Sequence, residues 1–179
     1  MEEPEVPLEQ AQEDIHHHAT HAKARWTLGV ALSSALLAGL AAICSLLAGH
    51  HANEAMIDQI KSSDEWNYYQ AKGIKAAVLS AKVELLEAAG KAGNHADAVK
   101  AAGYESEQKD ISEKAKELEK SSESHLHSHV VFARGVTLFQ VAIAVAAISV
   151  LTNRRRFWLL SLVFGAVGVF FLLQGLLAP

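Results

Sequence analysis

Histidine is the residue of this sequence that is best suited to chemistry, with ten copies among 179 residues. A first candidate metal site consists of His50, Glu54, Asp58, His125 and His129. Within each of its two segments the members lie four residues apart, so a helix places them on one face. Converging imidazole and carboxylate groups are suited to zinc, nickel or copper. The sequence therefore offers a candidate site for a transition metal.

This first site requires the chain to turn back between its two segments. A turn centred near residue 92 places His125 opposite residues 58–59 and His129 opposite residues 55–56. A polar surface that faces water or lipid headgroups explains the same histidines without a metal. A pH-responsive role is a further alternative, because imidazole titrates near neutrality and needs no metal to do so.

A second candidate metal site lies in the N-terminal tail, residues 1–25. Its members, Asp14, His17, His18 and His21, share one stripe of a partly amphipathic helix that the tail is predicted to form. A histidine-rich polar surface is the alternative here as well. Both metal sites are hypotheses, and nothing else in the sequence calls for a cofactor.

Three apolar segments organise the chain around these polar groups. Residues 26–49 and 157–177 contain no charged side chain, and residues 130–152 contain only Arg134, one turn from the start of the segment. At 1.5 Å per residue, helices of these lengths cross a hydrocarbon layer about 30 Å thick. None of the segments has the polar face that a helix of a soluble protein shows. We therefore predict three transmembrane helices, with the lipid bilayer as a partner.

The connection between the last two segments, residues 153–156, fixes the predicted orientation because it contains three consecutive arginines. Short loops rich in arginine stay on the cytoplasmic side of a membrane. Lys23 and Arg25, just before the first segment, agree with this. The prediction is a cytoplasmic N-terminus, with residues 50–129 and the C-terminus on the opposite side.

Residues 50–129 are predicted to form a long helical hairpin that resembles a coiled coil. The chain breaks at residues 90–94, where glycine and asparagine favour a turn. Before the break, alternating spacings of four and three residues define a seam of Asn53, Ile57, Ile60, Asp64, Asn67, Ala71, Ile74, Val78, Ala81, Leu85 and Ala88. After it, the seam continues with Gln108, Ile111, Ala115, Leu118, Ser122, His125 and His129. The fold class is thus an all-α membrane protein, with three transmembrane helices and this hairpin between the first and the second.

Self-association is expected on two grounds. A single seam with this many small and polar residues buries little apolar area, so a lone hairpin would be marginal. In the first apolar segment, Ala31, Ala35 and Gly39 lie on one stripe, as do Ser161 and Gly165 in the last. Small residues four apart let helices approach closely. Packing of the three segments within one subunit is the alternative explanation of both stripes.

Aromatic residues of the first arm give a further candidate contact. Trp66 and Tyr69 lie three residues apart on one face, and Gly73 follows one turn later. A small residue beside large rings favours close contact with another helix. That helix belongs either to another subunit or to the second arm of the same hairpin.

Two stretches resemble a known family: GHHANEA at residues 49–55 and SDEWNYYQAKGIK at residues 63–75. Together with the plan of one span, a helical segment and a closing pair of spans, they are similar to an uncharacterised family of bacterial inner-membrane proteins, described only as a domain of unknown function. The Trp-x-Tyr-Tyr-Gln-Ala-Lys box carries most of the likeness. The resemblance implies a bacterial inner-membrane location. Combined with the orientation predicted from the arginines, this location places residues 50–129 and the C-terminus in the periplasm. It implies no activity, cofactor or catalytic residue.

Composition narrows the classes of function. The net charge of −4 offers no broad basic face to nucleic acid, and the single cysteine, Cys44, excludes an intrachain disulfide. No nucleophile, base and orienting group appear at the spacings of known motifs, so we do not expect an enzyme. The leading hypothesis is an oligomeric scaffold or interaction protein that presents helical hairpins, with another membrane protein as a further candidate partner. The alternative is a metal-binding or pH-sensing protein, or an accessory transporter subunit, that uses the histidine clusters.

Overall fold

The computed structural model describes residues 25–91 and 95–177, and these residues form three α-helices. Helix α1 is Arg25–Ala88, α2 is His95–Leu151 and α3 is Arg155–Leu177. Within these ranges the structure contains no β-strand, so the predicted all-helical class is confirmed. The second candidate metal site, Asp14, His17, His18 and His21, lies outside the described residues.

The end of α1 is set by the conformation of Gly90. Its φ is +68°, in the left-handed region that glycine adopts at little cost. The Gly90 amide donates a hydrogen bond to the Glu87 carbonyl, and the Lys91 amide donates one to the Leu86 carbonyl. This pair of bonds is a Schellman motif, which satisfies carbonyls that the helix end leaves without a partner.

The end of α2 uses the same motif with asparagine in place of glycine. Asn153 has a φ of +54°, and asparagine is among the few other residues that tolerate this region. Its amide donates to the Val150 carbonyl, and the Arg154 amide donates to the Ser149 carbonyl. The chain can therefore reverse within the short connection before α3 begins at Arg155.

The helices contribute to two compact units. One comprises the described parts of Met1–Ala52 and Leu126–Pro179 and is called the three-helix unit; the other, Asn53–His125, is called the hairpin unit. Each of the three helices contains a segment that is long and apolar enough to cross a membrane, judged by length and composition.

Aromatic side chains of α2 form the core of the three-helix unit. Phe132, Phe139 and Ile143 are almost completely buried, together with Cys44 of α1. Helix α3 faces them with a stripe that is nearly all glycine and serine: Ser161, Gly165, Gly168, Leu172 and Gly175. Because these residues have small side chains or none, the phenyl rings of α2 occupy the notches they leave.

The hairpin unit buries a different face of α1 from the predicted one. In this part of α1, two positions of each seven-residue repeat are buried or half-buried. They are Ala55, Asp58, Ser62, Glu65, Tyr69, Lys72, Ala76, Leu79, Val83 and Leu86. Ile74 and Leu85, predicted for the seam, are instead 65% and 71% exposed. The prediction for the first arm was therefore wrong. Burial of Ile111 and Ala115 confirms the predicted seam of the second arm.

Close approach of the two arms explains which face is buried. Ser62 and Ala115 are completely buried, and the Ser62 hydroxyl donates a hydrogen bond to the Ala115 carbonyl at 3.1 Å. The Ser122 hydroxyl likewise donates to the Ala55 carbonyl at 2.8 Å. A short side chain reaches the backbone of a neighbouring helix only when the two helices are nearly in contact. Small and polar side chains therefore form the seam around Ser62 and Ser122, and Leu79, Val83 and Leu86 continue it towards the turn.

Candidate functional site

The outer face of α1 in the hairpin unit carries an uncovered line of large apolar side chains, here called the apolar stripe. Its members are Ile57, Ile60, Ile74, Val78 and Leu85, with exposures between 42% and 71%. Asp64 and Asn67, also exposed, interrupt the stripe near its middle. Exposed apolar side chains aligned on one face mark an interaction site more often than scattered single residues do.

Helix α1 therefore carries two seams in the hairpin unit. At 100° per residue, the stripe and the buried seam lie on nearly opposite faces of the helix. Both repeat every seven residues, the pattern that packs helices side by side. The inner seam is filled by the second arm, and the outer one is free to receive another helix.

The two edges of the apolar stripe differ in charge. Lys61, Tyr68, Lys75 and Lys82 lie along one edge at intervals of seven residues. Lys61 lies 3.4 Å from the Asp58 carboxylate and Lys82 lies 2.6 Å from that of Asp97. The other edge is uncharged until its last position, and consists of Met56, Ser63, Gln70, Ala77 and Glu84.

Four polar pairs join the arms of the hairpin and fix their register. Every pair is symmetric about the link between Ala89 and Gly90, and the pairs are Asp58 with Ser121, Glu65 with Lys114, Lys72 with Glu107, and Lys82 with Asp97. A shift of either arm by one residue would break all of them together. The hairpin is thus a framework that holds the apolar stripe in one orientation relative to the second arm.

Lys72 is the most enclosed of the lysines in these pairs. Its ammonium pairs with the Glu107 carboxylate and lies 5.1 Å from the centre of the Tyr68 ring and 4.8 Å from that of Tyr104. The hydrogen bond to Glu107, followed by one with Tyr68, raises the pKa of Lys72 above its usual value. Cation–π contacts of this kind stabilise a charge that has lost part of its water.

The aromatic residues proposed as an oligomer contact pack within the hairpin. The Trp66 indole donates a hydrogen bond to Glu119 at 2.8 Å, and Tyr69 meets the Trp66 ring edge-on. The Gln108 amide donates to the Tyr69 carbonyl and fills the space beside Gly73. Trp66, Tyr69 and Gly73 therefore contact the second arm of the same chain. Any contact of these residues with another subunit stays a prediction.

The small residues of the first apolar segment divide between the inside and the outside of the three-helix unit. Ala31 is buried, whereas Ala35 and Gly39 are exposed. A side chain at Gly39 would meet nothing within 4 Å, while one at Gly165 would lie 2.7 Å from Leu37. Among the residues of the predicted stripes, Ala35 and Gly39 are therefore the ones exposed to contact with another subunit. Gly165 and Ser161 pack inside the chain.

The prediction that His129 lies opposite residues 55–56 is wrong. Its ring Nδ1 lies 2.9 Å from the Ala48 carbonyl of the three-helix unit, not opposite residues 55–56. The carbonyl of Ala55 instead accepts the hydrogen bond from Ser122. The reason is the position of the turn, which Gly90 places earlier in the chain than residue 92.

His50 and Asp58 of the first candidate metal site also have other neighbours. His50 lies 5.5 Å from the ring of His51, which stacks on Phe132. Asp58 is bound by Ser121, one turn before His125. Within residues 25–91 and 95–177, no three His, Cys, Asp or Glu side chains form a group that could hold a metal ion. Metal binding by His50, Glu54, Asp58, His125 and His129 stays a prediction.

Asp58 is a buried carboxylate with defined partners. The Ser121 hydroxyl donates to it at 2.7 Å, and Lys61 donates at 3.4 Å. The bond from Ser121 lowers the pKa of Asp58 below its usual value, burial opposes the change, and the positive charges of Lys61 and His125 add to it. The ionised form is therefore the one that the folded hairpin prefers.

We expect acid to destabilise the hairpin partly through Asp58. Because its pKa is lower in the folded than in the unfolded chain, its contribution is complete above the unfolded value of about 3.9 and is lost as pH falls through the folded value. Asp58→Asn should flatten the loss of thermal stability between about pH 5 and pH 3 relative to the unmodified protein. The control is Asp110→Asn at an exposed position of the second arm. Equal acid sensitivity of both variants would contradict this role for Asp58.

In the described residues, 25–91 and 95–177, these features define an all-helical fold whose three helices each carry a segment apolar enough to cross a membrane, with a polar helical hairpin along the chain between the first two segments. The chain belongs to the family described as Domain of unknown function (DUF4337), whose model matches residues 26–178. No curated protein and no solved structure matches the chain.

Proposed function

We propose that the protein is an oligomeric scaffold or interaction protein of the bacterial inner membrane that presents its hairpin unit to the periplasm. The observation that carries this proposal is the apolar stripe. The second arm covers the inner seam of α1, and the five large apolar side chains of the stripe stay exposed on the outer face. Exposure of these side chains to water is unfavourable, and a partner helix would remove that cost.

Membrane insertion is supported by the surface of the three-helix unit. Its outer face is rich in leucine, with Leu28, Leu32, Leu46 and Leu176 more than half exposed. In water such a surface would aggregate, whereas in a bilayer it meets acyl chains.

The orientation is supported by arginine. The exposed residues Arg154, Arg155 and Arg156 lie where α2 ends and α3 begins, and short arginine-rich connections stay in the cytoplasm. This orientation gives residues 50–129 a periplasmic position. The bacterial location rests on the resemblance described above.

The proposed function predicts a complex of several copies with the hairpin outside the cytoplasm. Native mass spectrometry of the full chain in nanodiscs should give a multiple of 19.3 kDa plus lipid. In intact cells, a cysteine at Lys91 should react with a thiol reagent that cannot cross the membrane, and one at Arg156 should react only after lysis. Both labelling variants are made in a Cys44→Ala background.

The mass and the labelling pattern test different parts of the proposal. A single-copy mass across several lipid compositions would remove the oligomeric scaffold, whatever the labelling shows. Labelling of Arg156→Cys but not of Lys91→Cys in intact cells would reverse the orientation and leave the complex intact.

A further inference from the structure

A groove between α2 and α3 lies on the surface of the three-helix unit and has a positive charge at one end. Its volume is about 440 Å³, and its lining includes His129, Ala133, Arg134, Thr137 and Leu138 of α2 and Phe171 of α3. We propose that this groove, here called the arginine groove, binds an anionic phospholipid. The lipid phosphate pairs with Arg134, and an acyl chain lies along the apolar lining. The inference rests on the membrane insertion in the proposed function, but not on the number of copies or the orientation.

Small residues of α2 create the arginine groove. Ala133 contributes only a methyl group to the lining. A Cβ atom at Gly135 would lie 3.6 Å from the Gly168 carbonyl oxygen and 3.8 Å from the Phe171 Cβ, so α3 passes close to α2 here and Phe171 forms the second wall. The Thr137 hydroxyl donates to the Ala133 carbonyl at 3.0 Å, so its polar group is satisfied within the helix. Apart from its charged end, the groove is therefore suited to a hydrocarbon chain.

Arg134 has no acidic partner in the part of the chain that the structure describes. Its side chain is exposed and forms no ion pair with a described residue. The described residues of the three-helix unit cannot supply one, because residues 25–52 and 126–177 contain five arginines and no Asp or Glu. A charge at the edge of the hydrocarbon layer is costly without a counter-charge. The counter-charge must therefore come from outside this unit.

The position of Arg134 along α2 fits a lipid phosphate. His129 is level with Ala48, because its Nδ1 lies 2.9 Å from the Ala48 carbonyl. At this level the apolar part of α1 gives way to His50 and His51. Arg134 lies five residues deeper, about 7.5 Å along the helix axis. A side chain as long as that of arginine spans such a distance and brings its guanidinium to the headgroups, where it binds phosphate through paired N–H donors.

The source of the counter-charge is a lipid rather than a helix of another protein. A partner helix would have to bring its own carboxylate into the edge of the hydrocarbon layer, and that transfer is costly. A phospholipid already has its phosphate at the level that Arg134 reaches, and its acyl chain matches the rest of the lining. The arginine groove therefore fits one molecule with a negative head and an apolar chain.

The lack of acids also selects the headgroup. Phosphatidylcholine has a cation beside its phosphate, and no carboxylate among the described residues of the three-helix unit can receive that cation. Phosphatidylglycerol has the phosphate without the cation. Because a carbonyl only accepts hydrogen bonds, His129 donates from Nδ1 to Ala48, and Nε2 of the neutral ring is left as an acceptor. The hydroxyls of a glycerol headgroup are suitable donors to it.

Quenching of tryptophan by brominated lipid measures which lipid occupies the groove. Val141→Trp, at an exposed position one turn beyond Thr137, is introduced into the full-length protein. The protein is reconstituted in phosphatidylcholine vesicles with a rising fraction of phosphatidylglycerol, and either lipid is brominated in its acyl chains. The unsubstituted chain gives the signal of the native tryptophans, which is subtracted. Phosphatidylglycerol should be preferred roughly threefold to tenfold, as expected of one charge-assisted pair at a partly exposed site.

Charge variants show whether Arg134 causes this preference. Arg134→Gln should reduce the ratio of the two affinities to about one, and Arg134→Lys should keep part of it because the charge remains without the paired donors. Arg154→Gln, at an exposed position in the connection before α3, is the matched control and should keep the full preference. An equal loss for Arg134→Gln and Arg154→Gln would mean a general attraction of anionic lipid to the positive unit, and would overturn the inference.

The remaining outcomes separate this inference from the proposed function. Equal quenching by the two brominated lipids overturns the arginine groove and leaves a membrane-inserted scaffold. Absence of quenching by either lipid also overturns it, and Leu32→Trp on the exposed face of α1 then shows why. Quenching of Leu32→Trp means that another protein or another copy covers the groove. Absence of quenching there means that the chain is not inserted, and the proposed function fails as well.

A change of shape without a change of charge tests the groove itself. Ala133→Leu adds three carbon atoms to the lining, so the preference for phosphatidylglycerol at Val141→Trp should fall. Ala144→Leu, at an exposed position further along α2, is the matched control and should leave the preference unchanged. A full preference in Ala133→Leu would show that the lipid lies elsewhere around Arg134, and would overturn the groove as its site.

Discussion

Gly168→Val and Gly175→Val should prevent the three-helix unit from packing, whereas Gly39→Val should not. A Cβ atom at Gly168 would lie 2.8 Å from the Phe139 ring, and one at Gly175 would lie 2.6 Å from the Phe132 ring. Both rings are almost completely buried, so neither can move aside without disturbing other core residues. Overpacking of this kind costs about 1–3 kcal/mol for a small excess of volume, and valine adds two methyl groups beyond the first contact.

Thermal unfolding in nanodiscs, followed by tryptophan fluorescence, measures this effect, because Trp26 and Trp158 both pack against Val30 and its neighbours in the three-helix unit. Gly39→Val is the matched control, since a side chain there meets nothing within 4 Å. A loss of stability for Gly39→Val as large as that for Gly175→Val would show that the arrangement of α3 is different. A change only in the mass of the Gly39→Val complex would instead support the predicted membrane contact at Ala35 and Gly39.

The helices were predictable because their signals are long and uninterrupted. The apolar segments 26–49, 130–152 and 157–177 need no tertiary information, since composition alone distinguishes them from the polar arms. The continuity of α1 from Arg25 to Ala88 also follows from the absence of proline or an early glycine pair within it. The break after Ala88 has a local cause in Gly90.

The buried face of the first arm was not predictable from apolar residues alone. The usual rule assigns Ile60 and Ile74 to the inside and Ser62 to the outside, but close contact of the arms selects for small side chains. Charge contained the missing signal. The pairs Glu65 with Lys114 and Lys82 with Asp97 are equidistant from one point in the chain, and a search for such symmetry would have given both the register and the face.

The first candidate metal site shows how sensitive side-chain partners are to the position of a turn. When a hairpin turns one residue earlier, every residue of the returning arm meets a partner two residues away. The four polar pairs are centred on the link between Ala89 and Gly90, so the position opposite His129 moves from residue 55 to residue 50, near Ala48, whose carbonyl lies 2.9 Å from the His129 ring. Residue types and spacing fixed which side chains share a helix face, but not which faces meet.

The hairpin unit should open when a large side chain is placed where its arms are closest. Ala115→Leu puts three more carbon atoms at a completely buried position opposite Ser62, whose hydroxyl lies 3.1 Å from the Ala115 carbonyl. The arms must separate to admit the leucine, so the bond from Ser62 breaks and the polar pairs on either side lengthen. With an overpacking cost of about 1–3 kcal/mol, the thermal midpoint of a unit of this size should fall by roughly 5–20 °C.

Hydrogen exchange resolves this effect by position in the chain. In Ala115→Leu, backbone amides of both arms should lose protection around Ser62 and Ala115, while those of the three-helix unit keep theirs, because the substitution lies wholly within Asn53–His125. Ala102→Leu is the control, since it adds the same atoms to an exposed position of α2. Protection that is unchanged by Ala115→Leu, or reduced equally by Ala102→Leu, would mean that the arms do not meet at Ser62. The inner seam, and with it the assignment of the apolar stripe to the outer face, would then have to be abandoned.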